Sequence, residues 1–449
     1  MTLSAPLAAP PGDWAAIKPA RNVGTRPFAR AEELTGLGKL AFTSLWLLLF
    51  AIPWEDAITI SGFGTSARLI GTGAVVLGFM AILEKGSLRR PAAGHFMMAL
   101  FVISAAGSYL WSLYPEGTLT QTVTYIQLLV LVWLIWELAP TAEAQKRLMQ
   151  AYILGTFVSG IDTIYMFLSH QESSYQRYAG ARLDANDLGL MMALSIPVSY
   201  CLLIQGKGLM AWVYRLQLAL AGTTVLLTAS RGATLACLVA LAIVPLTSAR
   251  LTGRQRIGVL LTGSLLVTGV LVFVPATSWE RLSTVPDALE HGTLSGRRVI
   301  WSAGWEIFRE HPFLGIGSNA FRLVVCRVLA EPIRLDDPDS PAPPAHNTFL
   351  SVLVEQGVIG LAVFCALLGV LVLSMMALPS LPRKLWFVCL AVWLVGVSSL
   401  TWEMRKPTWF FFGLLLAQYG AMGKKRFTAQ AGAFDIEESQ APALHLSWS

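Results

Sequence analysis

The chain has 449 residues, 55% of them hydrophobic and only 13% charged, with a formal net charge of +6. Soluble domains carry roughly twice that charged fraction, and the basic residues here flank apolar runs instead of forming a basic domain, so a soluble globular protein and a nucleic-acid binder are both excluded. Five cysteines (Cys201, Cys237, Cys326, Cys365 and Cys389) have no metal-like spacing, and four fall in apolar runs, which argues against a disulfide framework.

Residues 1–36 are rich in proline and alanine and mixed in charge, unlike a cleavable signal. Apolar runs of about 20 residues then recur, each long enough to cross a hydrocarbon core about 30 Å thick. Nine spans are predicted over 37–275: 37–54, 67–84, 94–112, 119–139, 148–169, 187–205, 209–228, 232–249 and 257–275. Three more follow at 347–378, 385–402 and 407–422, and a polar tail occupies 423–449. The 347–378 run exceeds one crossing, so it tilts, breaks or projects. The expected fold is an all-α polytopic membrane protein of about 12 transmembrane helices, both termini cytoplasmic. That orientation leaves basic residues in every inner loop, as the positive-inside rule requires.

Thirteen basic residues then fall outside, and all but Lys406 are arginines: Arg68, Arg177, Arg182, Arg231, Arg281, Arg297, Arg298, Arg309, Arg322, Arg327, Arg334 and Arg405. Arginine's planar fork suits phosphate oxygens. An outer arginine cluster therefore points to a lipid phosphate or pyrophosphate, although headgroup contacts or pairing with outer acids would also account for single members. In 169–189, Arg182 accompanies Asp184, Asn186 and Asp187. Arg231 opens the eighth span in TASRGA, where it could also snorkel to water.

The largest outer loop is 276–346. Its string SGRRVIWSAGWEIFREHPFLGIGSNAF places Trp301, Trp305 and Phe308 on one helical stripe, read as an interfacial amphipathic helix. His311-Pro312 ends it, and Gly315 and Gly317 shape the next turn. The proline-rich PDSPAPPA leads to His346 at the start of the tenth apolar run, placed to take a proton from a hydroxyl or simply to cap the helix. Glu355 lies nine residues further, roughly 13 Å along a regular helix, and reads as a packing or ion-pair residue. Asp337-Pro338-Asp339 forms a weak DxD triplet, and no phosphate-binding loop, dinucleotide fingerprint, HExxH or GxSxG is present.

In order, RLDANDLGL, TASRGA, SGRRVIWSAGWEIFREHPFLGIGSNAF and HNTFLSVLVEQGVIGL resemble the O-antigen ligase-like superfamily (WaaL-type ligases and Wzy-type polysaccharide polymerases) over about 180–365. The resemblance implies a GT-C-like membrane glycosyltransferase in the bacterial inner membrane with its active site facing the periplasm. Such an enzyme takes a glycan from undecaprenyl pyrophosphate and passes it, without a metal or other cofactor and with inversion, to a hydroxyl of lipid A-core, another glycan or a protein. It implies His346 as catalytic residue and Arg182, Arg231 and Arg297 or Arg298 as pyrophosphate ligands, with no role for the DxD triplet. Two alternatives stand beside the ligase: a Wzy-type polymerase, and a transporter or flippase of lipid-linked sugars whose path Asp162 and Glu355 would line.

Overall fold

The computed structural model describes residues 36–60, 64–172, 177–273, 297–328 and 344–439. The bundle begins with α1 (Gly36–Ala51), a 3-10 turn (Ile52–Ala57) and a two-stranded ribbon, β1 (Thr59–Ile60) antiparallel to β2 (Gly64–Thr65). Helices α2 (Ser66–Lys85), α3 (Ala93–Gly107), α4 (Pro115–Leu138), α5 (Ala142–Leu168), α6 (Ala185–Gln205) and α7 (Gly208–Leu227) follow. Next come α8 (Arg231–Ala240), α9 (Ile243–Thr247), α10 (Gly253–Phe273), α11 (Arg297–Glu310), α12 (Phe321–Val328), α13 (Thr348–Met376), α14 (Ser380–Val397) and α15 (Lys406–Ser439).

Nine helical segments among the described residues are long and apolar enough to cross a membrane, which makes this an all-α polytopic membrane protein. Helices also overlie the other three expected segments, as α8 with α9, as α10 and as the first part of α15. The eighth segment is interrupted at 241–242.

The bundle is organised by lipid exposure. α6 is buried along nearly its whole length and forms the central helix. Outer helices turn large apolar side chains outward, among them Phe79, Leu83, Ile103, Leu260 and Leu373. So much exposed apolar surface is stable only against hydrocarbon.

The long tenth run breaks. Within α13, Gly357 adopts φ 65°, ψ −170°, a region open essentially to glycine alone. The break strands backbone groups that hydrocarbon could not satisfy, and residues 312–317 insert to pair with them. Ile316 N–H donates to Val354 O (3.1 Å) and Gly317 N–H to Glu355 O (2.9 Å), while Val358 N–H donates to Pro312 O (2.9 Å) and Ile359 N–H to Phe313 O (3.3 Å).

The other side of this segment docks on the α3–α4 turn. Leu113 N–H donates to Ile316 O (2.9 Å), Trp111 Nε1–H to Leu314 O (3.1 Å) and Thr118 Oγ1–H to Ser318 O (2.7 Å). A small core of Ala303, Ile307, Ile316, Ala320, Phe321, Val325, Ala345 and Val354 then joins α11 and α12 to α13.

α11 is amphipathic and ends before His311-Pro312, and the expected stripe of Trp301, Trp305 and Phe308 is not the face it packs on the protein. The packed face is Ala303, Gly304 and Ile307; Trp301 and Phe308 are half-buried, and Trp305 is exposed. Small residues let α11 lie close to α12, with the Phe321 ring against Gly304. Asp337-Pro338-Asp339 and most of PDSPAPPA lie outside the described residues.

Candidate active site

Candidate residues gather where several helices begin. Asp184 caps α6, its Oδ1 accepting from Asn186 N (2.8 Å) and Asp187 N (3.4 Å). Ser230 caps α8, accepts from Ala233 N (3.4 Å) and donates to Asn186 Oδ1 (2.8 Å). That bond ties the starts of α6 and α8 together, so Arg231, the first residue of α8, stands beside the polar end of α6. Arg177 completes the clamp, donating through Nη2 to Asn186 Oδ1 and through Nε to Thr228 O, both at 2.8 Å. These two bonds give Arg177, one of the expected outer arginines, a structural role.

His346 lies one residue before the cap of α13. The cap is Asn347, whose side chain accepts from Leu350 N (3.0 Å), so the imidazole is released from capping. Trp301 Nε1–H donates to Ala345 O (2.9 Å) and pins the preceding carbonyl. His346 has φ 48°, Arg182 φ 56° and Ala229, two residues before Arg231, φ 46°. Left-handed backbone at three such non-glycine residues costs energy and tends to mark functional sites.

Electrostatics link these groups. Burial pushes His346 down to about 4, with Arg297 and Arg322 also disfavouring the imidazolium and Asp184 opposing them. Burial and then Arg231 lower Arg297 below the usual guanidinium value, with Asp184 in opposition. Arg231, Arg297, His346 and Asp184 therefore share one electrostatic neighbourhood. Arg298 is exposed, and of the doublet it is Arg297 that turns into the cluster. Arg182 is exposed two residues before Asp184.

Arg322 and Arg405 also belong to this region, although spacing did not single them out. Arg405 Nη2 pairs with Asp187 Oδ2 at 2.6 Å, and Trp402 Nε1–H donates to Asp187 Oδ1 at 2.8 Å. The 398–405 turn is stitched beside His346: Trp402 N–H donates to Thr348 Oγ1 (2.8 Å) and Asn347 Nδ2 to Ser398 O (3.3 Å). The adjoining Lys406 pairs with Glu55. The only sequence signal for Arg322 and Arg405 was their place among the outer arginines.

The two intramembrane acids have structural work. Asp162 Oδ2 accepts from Ala181 N (2.6 Å) and fixes the turn before Arg182. Glu355 accepts from the backbone of Asn319 and, at 3.3 Å, of Phe321, so its carboxylate holds the start of α12.

Chemically, this end of the bundle offers guanidinium groups around a neutral imidazole. The capped starts of α6 and α8, tied together through Ser230 and Asn186, bring positive dipole ends beside Arg231. Residues 216–365 match the family model Wzy_C, described as O-antigen ligase. None of the curated proteins compared matches the chain. The matched segment contains Arg231, Arg297, Arg322 and His346, and stops short of Arg182.

Proposed function

We propose that this chain, an O-antigen ligase-like protein through its residues 216–365, transfers a glycan from undecaprenyl diphosphate to an acceptor hydroxyl at the periplasmic face of the inner membrane. The family supports a membrane enzyme of the ligase or polymerase type. The observation that carries the finer reading is the shared neighbourhood of Arg231, Arg297 and His346.

In this reading Arg231 and Arg297 hold the diphosphate, assisted by the helix starts, with Arg182 at the rim. The acceptor oxygen attacks the anomeric carbon while the bond from that carbon to the diphosphate oxygen breaks. The electron pair leaves with the diphosphate, and the hydroxyl proton passes to a nitrogen of His346. Attack opposite the leaving group inverts the anomeric centre. Fixed guanidinium groups stabilise the charge that develops on the leaving oxygen, and diphosphate is already a good leaving group. These residues carry out the reaction without requiring a metal.

The decisive assay supplies purified protein with undecaprenyl diphosphate-linked glycan and candidate acceptors in EDTA. Transfer to a lipid or protein acceptor identifies a ligase, and extension of a second lipid-linked glycan a polymerase. Translocation without transfer would reject both. Arg297→Ala is expected to lower kcat/KM roughly 10²–10³-fold, the usual loss of one well-placed electrostatic donor. Arg298→Ala should change it less than about threefold, because an exposed arginine outside the cluster has little to lose. Equal losses in the two variants would reject the assignment within the doublet.

The pH profile follows from His346. Its pKa is lowered to about 4, so the base form persists from pH 8 to below 6. The profile of kcat/KM, which reports the free enzyme, should fall only as pH approaches 4. Bound diphosphate adds negative charge, favours the imidazolium and raises the pKa. The acid limb of kcat should therefore lie at higher pH than that of kcat/KM. Coincident limbs near 6.5 would contradict the assignment.

A further inference from the structure

The arginines near His346 fall into two pairs. Arg297 has Arg231 as its cationic neighbour, Arg322 has Arg405, and the imidazole feels one member of each, Arg297 and Arg322. We propose that Arg322 and Arg405 form a second anion subsite beside His346, one that takes a phosphate or carboxylate carried by the acceptor glycan. This inference rests on the donor reading above.

The second pair is built. The 398–405 turn is fixed to residues 347 and 348 by the hydrogen bonds already described. Asp187, held on its other oxygen by Trp402, orients the Arg405 guanidinium. The Arg405 side chain nevertheless stays 48% exposed, leaving donors for a ligand. Arg322 is the second residue of α12, whose first residue is anchored by its N–H to Glu355 and by its ring against Gly304. Among the described residues no carboxylate comes within salt-bridge distance of Arg322, and Glu355 acts on it only at longer range. Arg322 is exposed and Arg405 half-exposed, so both keep donors that an anionic group can take up in charge-assisted hydrogen bonds.

Reaction geometry assigns that anion to the acceptor. Inversion requires the diphosphate and the attacking hydroxyl to lie on opposite faces of the anomeric carbon. With the diphosphate on Arg231 and Arg297, the hydroxyl must reach His346 from the other side, which leaves the second pair for the acceptor. An acceptor with an acidic substituent near its reactive hydroxyl would be positioned by it; a neutral one would not.

The test uses purified full-length protein and two titrations. Undecaprenyl diphosphate is titrated first; glucose 6-phosphate, with glucose as neutral control, is then titrated into the loaded protein. Glucose 6-phosphate should bind the loaded protein more tightly than glucose, and Arg322→Gln should weaken it about 10- to 100-fold, the range for losing a charge-assisted hydrogen bond. Undecaprenyl diphosphate should bind that variant normally, which also shows that it is folded. The proposal is overturned if glucose 6-phosphate and glucose bind the loaded protein equally, if Arg322→Gln binds both ligands as the native chain does, or if it loses the diphosphate instead. In that last case the pair belongs to the donor. Failure of the native chain to bind undecaprenyl diphosphate would be visible in the first titration and would remove the donor reading itself.

Discussion

Replacing His346 with alanine is expected to lower glycan transfer by 10²–10⁴-fold, the usual contribution of a positioned general base, while undecaprenyl diphosphate still binds. The division follows from geometry. The imidazole is one residue outside the cap of α13, so Asn347 still holds the helix start and Trp301 still holds Ala345 O. The diphosphate is left with its arginines. Because His346 sits at φ 48°, a region that histidine occupies more readily than alanine, alanine adds some backbone strain of its own. His346→Asn removes that objection, since asparagine tolerates the left-handed region but supplies no base near neutral pH. Both variants should be folded and inactive; an active His346→Asn would show that the position needs a conformation and not a proton acceptor.

The second large effect is expected at Gly357. A Cβ there would lie 2.1 Å from Phe313 O, and the backbone has φ 65°, ψ −170°. Conformational strain alone costs about 1–3 kcal/mol, and the clash would push 312–317 out of the break. Four backbone hydrogen bonds across the break would then be at risk, each group orphaned away from water costing about 1–3 kcal/mol. Gly357→Ala is therefore expected to give protein that unfolds at markedly lower temperature and accumulates poorly in membranes. Gly315 is locked in the same way, its added Cβ lying 2.5 Å from the Glu355 carbonyl. Val358→Ala, on an exposed side chain beside the same break, serves as the control and should be close to neutral. Normal thermal stability in Gly357→Ala would show that the inserted segment is dispensable to the fold.

These two positions also mark what the sequence could reveal. Apolar runs of membrane length made the helical segments legible, because the bilayer imposes a length and allows few charges. The excess length of 347–378 announced a tilt, break or extension but not which, since only tertiary partners decide where a helix may open. The insertion of HPFLGIG into that opening had no local signature beyond its glycines. The same applies to Glu355. Its hydrogen bonds run to residues more than 30 positions earlier, a relation that spacing within one helix cannot carry.

The site was legible in a similar proportion. Arg231 and His346 stood out as polar residues at the edges of apolar runs, and they do share a neighbourhood with Arg297. The choice within Arg297-Arg298 depended on the rotation of α11, which the tryptophan stripe did not reveal: Ala303 and Gly304 are the packed positions, and Trp305 is exposed. Arg322 and Arg405 looked like ordinary outer arginines until the fold set them beside His346. Arg177, another of the same group, became a clamp on Asn186. Residue type identified the chemistry available, and the three-dimensional neighbours separated the proposed ligands from residues engaged in scaffolding.

The central claim is that guanidinium groups beside His346 hold a diphosphate, and equilibrium binding of undecaprenyl diphosphate to the purified protein tests it most directly. The native chain should bind it, more weakly as salt is raised, and Arg231→Ala with Arg297→Ala should weaken binding at least tenfold while the protein remains folded. Unchanged affinity in that double variant would mean that the diphosphate sits elsewhere, and the account would fail.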